Sequence, residues 1–420
     1  MIGFRRLLRG RLAINTSLAL FWQLARVGSQ ALWLLAIARK LDAPGYGIFA
    51  GVAGLATFLG AFSGLGLGVL LLRVVAREPE RFDAYWHKGL RWTLLSGAGL
   101  ALAFIVASRM IDRSHADALS VVAIGLSETM LFPVVSFCSF AFNAHERLGF
   151  AAALPALTAL VRLAGALAFL VLPLPSTIAT YSVIHLGATL LAAVGAVAMA
   201  RGVLRPRCVI ETLTRRDLGD GLGYCSVWAA TNALTSLDKS LVLHLAGDAV
   251  AGLYASAYRL ITIFSLPVDA LAMSVLPRVF RHHAEPAHRQ RLILVVFLGS
   301  LAFSAMAMLL VYAAAPALPW LLGPSFVGAV SAARMLAWLL PAYALRMLGG
   351  NVLLGLDGQW LRLGIESAGI MMLCVFGGWF VPHAGLAGAA RMIVTTEACL
   401  ALITWGVVAR RLRGAAVAAR

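Results

Sequence analysis

Charge is scarce in this chain and negative charge scarcer still. Of its 420 residues only 13% are Asp, Glu, Lys or Arg, and 18 acids face 35 bases. A soluble domain carries about a quarter charged residues, so this composition excludes an ordinary water-soluble fold. Cysteine is equally uninformative for metal or disulfide chemistry: Cys138, Cys208, Cys225, Cys374 and Cys399 are scattered without a C-x-x-C pair. There is no D-x-D and no H-E-x-x-H, and no long outward loop to hold a catalytic domain outside the membrane. The glycine runs "GLGLG" at Gly64 and "GDGLG" at Gly219 lack the alternating strand-helix pattern of a dinucleotide site. The histidines of "HHAEPAH", His282, His283 and His288, lack metal-ligand spacing. No cofactor, no metal and no enzymatic activity is expected.

What the chain has in abundance is apolar length. It is 61% hydrophobic, with apolar segments near 14–38, 46–72, 89–110, 118–142, 150–172, 177–200, 221–246, 250–276, 292–315, 327–349, 361–381 and 385–409. Each suits a helix crossing a hydrocarbon core about 30 Å thick. The expected fold is therefore an all-α polytopic membrane protein with about twelve transmembrane helices. Turns such as "LDAPGYG", "LPLPS", "AAPALPWLLGPS" and "VPHAG" separate the segments.

The cations orient the bundle. Most of the Lys and Arg fall in the N-terminal tail, in the loops after the second, fourth, sixth, eighth and tenth spans, and in the C-terminal tail; only Arg39, Lys40, Arg109 and Arg113 fall in the opposite loops. The positive-inside rule then places both termini in the cytoplasm of a cell with this chain in its inner membrane. The net charge of +17 is spent on "FRRLLRGR", "RGVLRPRCVIETLTRR" and "PRVFRHHAEPAHRQR", which suit anionic lipid head groups and need no nucleic acid. The N-terminal apolar run lacks a small-residue cleavage site and reads as a retained first helix.

Charges inside the spans are the informative groups, because each costs about 2.5–3.5 kcal/mol at the centre of an inserted helix. Arg26 lies mid-span, and Thr16, Gln23, Arg26 and Gln30 fall within about 80° of one another on the helix, a polar stripe that suits either a helix contact or a water-filled cavity. Glu128 and Arg162 reach similar depth on consecutive antiparallel spans and suit either a structural pair or separate roles. Asp238 and Lys239 are neighbours in "TSLDKSLVLHL". Adjacent helical residues point apart, so Asp238 is expected to bond Arg259 across the next turn, with Lys239 either facing the interior or snorkelling outward. Arg334 and Arg391 lie toward outer ends, and Arg346 is expected to snorkel to the inner interface. Asp269, Glu366 and Glu397 complete the acids that act either as structural partners or in ion coupling.

A short echo, "GIFA" at Gly47 and "GLYA" at Gly252, recurs about half a chain apart. With the charged segment between the halves, it divides the chain into an N-terminal six-helix lobe (1–205), a basic cytoplasmic linker (206–220) and a C-terminal six-helix lobe (221–420), around a central cleft.

The stretches "ARKLDAPGYGIFAGVAGLATFLGAFSGLGLG", "SLDKSLVLHLAGDAVAGLYASAYRL" and "LPVDALAMSVLPRVF" resemble bacterial lipid-linked oligosaccharide flippases, the O-antigen and polysaccharide-transporter branch of the multidrug/oligosaccharidyl-lipid/polysaccharide (MOP) exporter superfamily. The resemblance implies two six-helix lobes around a cationic cavity, and transport of an undecaprenyl-diphosphate-linked sugar from the inner to the outer leaflet by alternating access. It implies that Arg26, Lys239, Arg259 and Arg162 face the diphosphate, with Gln23 and Gln30 beside Arg26. Glycan polymerase or assembly proteins are the implied partners, in lipopolysaccharide or related polysaccharide biosynthesis. The competing expectation is a multidrug or metabolite antiporter of the same superfamily, which would rely on acids to hold cationic substrates.

Overall fold

The structure, a computed structural model, describes the backbone of residues 11–111, 116–209, 211–281, 286–355 and 358–418. Side chains are described there except at 11–16, 109–111, 227, 231, 268–281, 286–293, 296, 355, 359 and 412–418. The described residues form helices and connections and no strand. In chain order the helices are α1 (Arg11–Gly60), α2 (Leu67–Val75), α3 (Phe82–Ile111), α4 (Ala118–Ala144), α5 (Leu148–Val171), α6 (Ile178–Leu204), α7 (Arg215–Ala246), α8 (Asp248–Arg281), α9 (Pro286–Ala314), the short α10 (Ala317–Leu322), α11 (Ala329–Leu354) and α12 (Gln359–Ala418).

Nine helical stretches among the described residues are long and apolar enough to cross a bilayer. Two of them are pairs. α1 breaks at Asp42 (φ 56°, ψ −178°), just before Pro44, and α12 breaks at Gly385 (φ 51°, ψ −121°). Sixteen residues of unbroken helix would separate Trp33 from Phe49 by about 24 Å. Their rings are 5.7 Å apart, so the chain doubles back at Asp42. α7, with 32 residues, is long enough but too polar to be among the nine. With it the described residues hold twelve helical segments long enough to cross, the number expected from the apolar pattern. Leucines such as Leu24, Leu102, Leu191 and Leu309 lie exposed along them, as lipid-facing residues do.

The chain divides into two compact units, residues 1–232 and 233–420, with the boundary inside α7. In the first unit a core of Leu67, Leu71, Trp86, Phe137, Cys138 and Phe142 joins α2, α3 and α4. Two glycines set the spacing around α4. A Cβ on Gly60 would stand 2.3 Å from the Glu128 carbonyl oxygen, and one on Gly97 would stand 2.8 Å from the Thr129 carbonyl oxygen. Only hydrogen at those positions lets α1 and α3 approach this stretch of α4 so closely. In the second unit α8, α11 and both legs of α12 pack together, with Leu340, Leu348, Met392 and Ile393 in the interior.

Candidate functional site

In the first unit the polar site begins with a helical defect. Residues Leu126–Leu131 of α4 form a π-turn, and Pro133 follows within the first turn of the α-helical segment Phe132–Ala144. Proline has no N–H to give the carbonyl four residues back, and its ring crowds that carbonyl, so regular α-helix is disfavoured just where the turn widens. Glu128 lies inside this turn and is buried. Its Oε1 is 2.7 Å from an Arg162 guanidinium nitrogen on α5 and 2.9 Å from His185 Nε2 on α6. Arg162 Nε donates to Thr189 Oγ1 at 3.0 Å, and Thr189 Oγ1 donates to the His185 carbonyl at 2.8 Å. The Arg162 guanidinium also lies over the Phe132 ring. Arg162 is thus aimed from three sides while keeping partial exposure. On the first leg of α1, Arg26 and Gln30 are half-buried and Gln23 is exposed.

In the second unit Asp238 is 0% exposed. It receives a hydrogen bond from Tyr254 at 2.7 Å and ion-pairs with Lys239, whose Nζ is 3.0 Å from Oδ1. This corrects the expected Asp238–Arg259 bond. Lys239 curls back along its own helix, donates to the Thr235 carbonyl at 2.7 Å, and reaches sideways to its neighbour while stacking over Tyr258. A four-carbon stem makes possible a contact that the directions of the Cβ atoms alone would exclude. Arg259 is half-buried, close enough to Lys239 for the like charges to repel.

Arg346 does not snorkel. It is 2% exposed and bridges two carboxylates. Its Nε and a terminal nitrogen bond Glu397 at 2.5 and 3.1 Å, and its other terminal nitrogen bonds both Glu366 oxygens at 2.8 and 2.7 Å. Arg362 adds a longer contact to Glu366 at 3.8 Å and donates to Asn351 at 3.2 Å. The fork of a guanidinium suits two carboxylates, whereas an end-of-helix position by itself says only that the interface is within reach. The Asp269 side chain lies outside the described residues, as do the side chains of His282, His283 and His288.

A fourth charged cluster closes one end of the first unit. The Lys88 side chain is 0% exposed, 2.9 Å from Asp217 and 3.3 Å from Glu211, with its ammonium over the Tyr85 ring. Tyr85 donates to Asp217 at 2.8 Å, and the Thr214 amide donates to it at 3.2 Å. Burial pushes the Asp217 carboxyl up, but hydrogen bonds from Lys88, Tyr85 and Thr214 outweigh it and hold the group at about 2. Backbones also meet here: a Cβ on Gly66 (φ +74° at Gly64, +72° at Gly66) would stand 2.0 Å from the Gly221 carbonyl oxygen.

The structure therefore joins Glu128 with Arg162, Asp238 with Lys239, and Glu366 with Glu397 through Arg346. Sequence reasoning missed His185, Tyr254, Tyr258 and the bridging role of Arg346. A lone mid-span histidine was the available signal for the first. Among the described residues no three His, Cys, Asp or Glu side chains converge as metal ligands.

The profile of a family described as "Polysaccharide biosynthesis protein" matches residues 12–283. A comparison with curated proteins found no match. Among solved structures, the chain is similar to a multidrug resistance MATE family transporter of the MOP superfamily in its inward-facing conformation. The TM-score is 0.75 at 16% identity, covering 92% of this chain and 95% of that one. An outward-facing conformation of a multidrug resistance MATE family transporter gives 0.62 at 17% identity, over 97% and 98%. A MOP superfamily transporter from Pyrococcus furiosus gives 0.61 at 17% identity, over 97% of each chain. By this profile and this fold, the chain is a multi-pass membrane protein with the architecture of MOP transporters, and it belongs to the polysaccharide biosynthesis protein family.

Proposed function

We propose that this protein is a flippase that carries an undecaprenyl-diphosphate-linked oligosaccharide from the inner to the outer leaflet of a bacterial cytoplasmic membrane. The observation that carries the reading is how charge is matched at membrane depth. Each buried acid already has a cation: Glu128 has Arg162, Asp238 has Lys239, and Glu366 and Glu397 share Arg346, with Arg362 at 3.8 Å from Glu366 supplying the second positive charge for that pair. Arg259, half-buried beside Lys239, has no acidic partner among the described residues. The uncompensated charge is therefore positive, which favours a diphosphate. A guanidinium can hold phosphate oxygens with two parallel bonds, and a diphosphate cannot cross hydrocarbon unaided.

The alternative is export of a drug or metabolite; the MATE structures above are named for multidrug resistance. A cationic drug would need a spare buried acid, and those described here are all engaged. The Pyrococcus furiosus transporter is described as having a binding pocket of reverse polarity that suggests a different function. That description supports the view that one fold serves substrates of opposite charge. The test is reconstitution into proteoliposomes with a fluorescent lipid-diphosphate oligosaccharide. Wild-type protein should move the label to the far leaflet, Arg259→Ala and Arg26→Ala should abolish movement at matched insertion, and Arg259→Lys should recover part. Transport of a cationic dye with no movement of the lipid would overturn the proposal.

A further inference from the structure

We propose that the end of the first unit where α3 begins, α6 ends and α7 begins is a docking surface for the head groups of anionic phospholipids. The proposal does not depend on which substrate is carried. The linker after α6 is folded onto this end. The Arg207 amide donates to Asp83 at 3.0 Å, Arg81 lies 3.9 Å from Glu211, Lys88 holds Asp217, and Arg73 lies 3.7 Å from Asp220 while bonding Tyr224 at 2.9 Å. In sequence this region is an unsorted mixture of acids and bases. The structure sorts it. Glu211, Asp217, Asp83 and Asp220 are spent on partners within the unit, while Arg77, Arg201, Arg205, Arg207, Arg215 and Arg216 are exposed and have no acidic partner among the described residues.

Three features point to phospholipid and not to another anion. The surface caps helices that cross a bilayer, so it lies at head-group level by construction. Its free cations are all arginine, whose planar fork matches a phosphate better than a lysine does. Exposed Val209 and Leu222 lie in the same stretch, and apolar side chains beside basic ones suit the boundary between head group and acyl chain. Arg205 helps form the surface by its backbone as well: it turns the chain out of α6 in the left-handed region (φ 50°), which brings Arg207 back over Asp83. A head-group phosphate spanning Arg205 or Arg207 and Arg215 or Arg216 would tie the end of α6 to the start of α7, alongside the Lys88–Asp217 pair.

The test uses full-length protein in neutral detergent, with cardiolipin and phosphatidylcholine as probes in native mass spectrometry. Wild-type protein should retain cardiolipin at concentrations at least about tenfold below those needed for phosphatidylcholine, the factor that a single good contact supplies. The R205Q/R207Q/R215Q/R216Q variant should lose that preference. R334Q/R391Q, which removes two exposed arginines of the second unit, should keep it. Because folding of the first variant matters, its elution profile and melting temperature in neutral detergent should match wild type, and R205K/R207K/R215K/R216K should retain part of the preference. High salt should weaken retention in wild type, as it does for exposed charges. Equal retention of cardiolipin by wild type and the glutamine variant would overturn the proposal. So would equal retention of both lipids by wild type, or capture of a lipid diphosphate with no affinity for cardiolipin.

Discussion

Arg346→Leu should be among the most damaging single changes available in the second unit, and the structure says how damaging. The substitution removes both bonds to Glu397, which is 1% exposed, and both short bonds to Glu366, which keeps Arg362 at 3.8 Å. Glu397 is therefore the group left alone. Breaking a buried ion pair from one side costs about 3–5 kcal/mol, because the remaining charge loses its partner without regaining water. The chain has one escape, which is to protonate the stranded carboxylate. From an ordinary glutamate value of about 4.3, neutralising it at pH 7 costs about 3.7 kcal/mol, so the escape caps the penalty near the same figure. Two results follow. Denaturant titration in mixed micelles at neutral pH should show a loss of about 3–5 kcal/mol for Arg346→Leu, smaller at pH 6 than at pH 8. Adding Glu397→Gln to it should recover about half of the loss, because the amide needs no counter-charge. A double variant no more stable than Arg346→Leu alone, or a loss independent of pH, would refute the assignment of Glu397 as the stranded group.

Three further outcomes rest on the other clusters. Asp217 titrates at about 2 in the folded chain against 3.8 unfolded, so its contribution is complete above pH 4 and is lost as pH falls toward 2. The gap corresponds to roughly 2 kcal/mol, and Asp217→Asn should flatten the acid limb of a stability-pH curve by that amount; an unchanged limb would show that the carboxylate is not held by Lys88 and Tyr85. In the second unit the charge exchange Asp238→Arg, Arg259→Asp should be worse than either single change, because Asp238 answers to Lys239 and Tyr254. Asp238→Asn should cost more stability than Lys239→Ala, and thermal unfolding of the variants would expose the reverse order.

The fold was largely legible because it obeys a length rule. Twenty apolar residues suit a crossing wherever they occur, and the turns at Asp42 and Gly385 fall in stretches whose proline and glycine already marked them. Charge pairing was legible only in part. Glu128 and Arg162 were recognisable because two consecutive helices share one turn, so counting residues from it gives their depths. His185 comes from a third helix, for which no such common origin exists. The same counting failed for Asp238 because depth is a property of the backbone, whereas the contact was decided by a lysine stem folding back and by Tyr254 arriving one turn nearer than Arg259. Arg346 failed for another reason: its two carboxylates come from opposite legs of α12, and nothing in the order of residues says which face of α11 those legs will meet.

The π-turn that carries Glu128 gives α4 one residue more than an unbroken α-helix would need between Ala118 and Ala144. Its two halves are therefore indexed separately: Ala118–Gly125 packs against α1, α3 and α6, Phe132–Ala144 packs against α3, α5 and α6, and the extra residue is absorbed where Gly60 and Gly97 leave room. Removing one residue from this segment would close the ladder but rotate one half by about 100° against the other. Either the carboxylate or the whole of Ala118–Gly125 would then face the wrong neighbour. The length of this helix is thus tied to the position of a single acid, and a chain that lacks the acid is free to be one residue shorter.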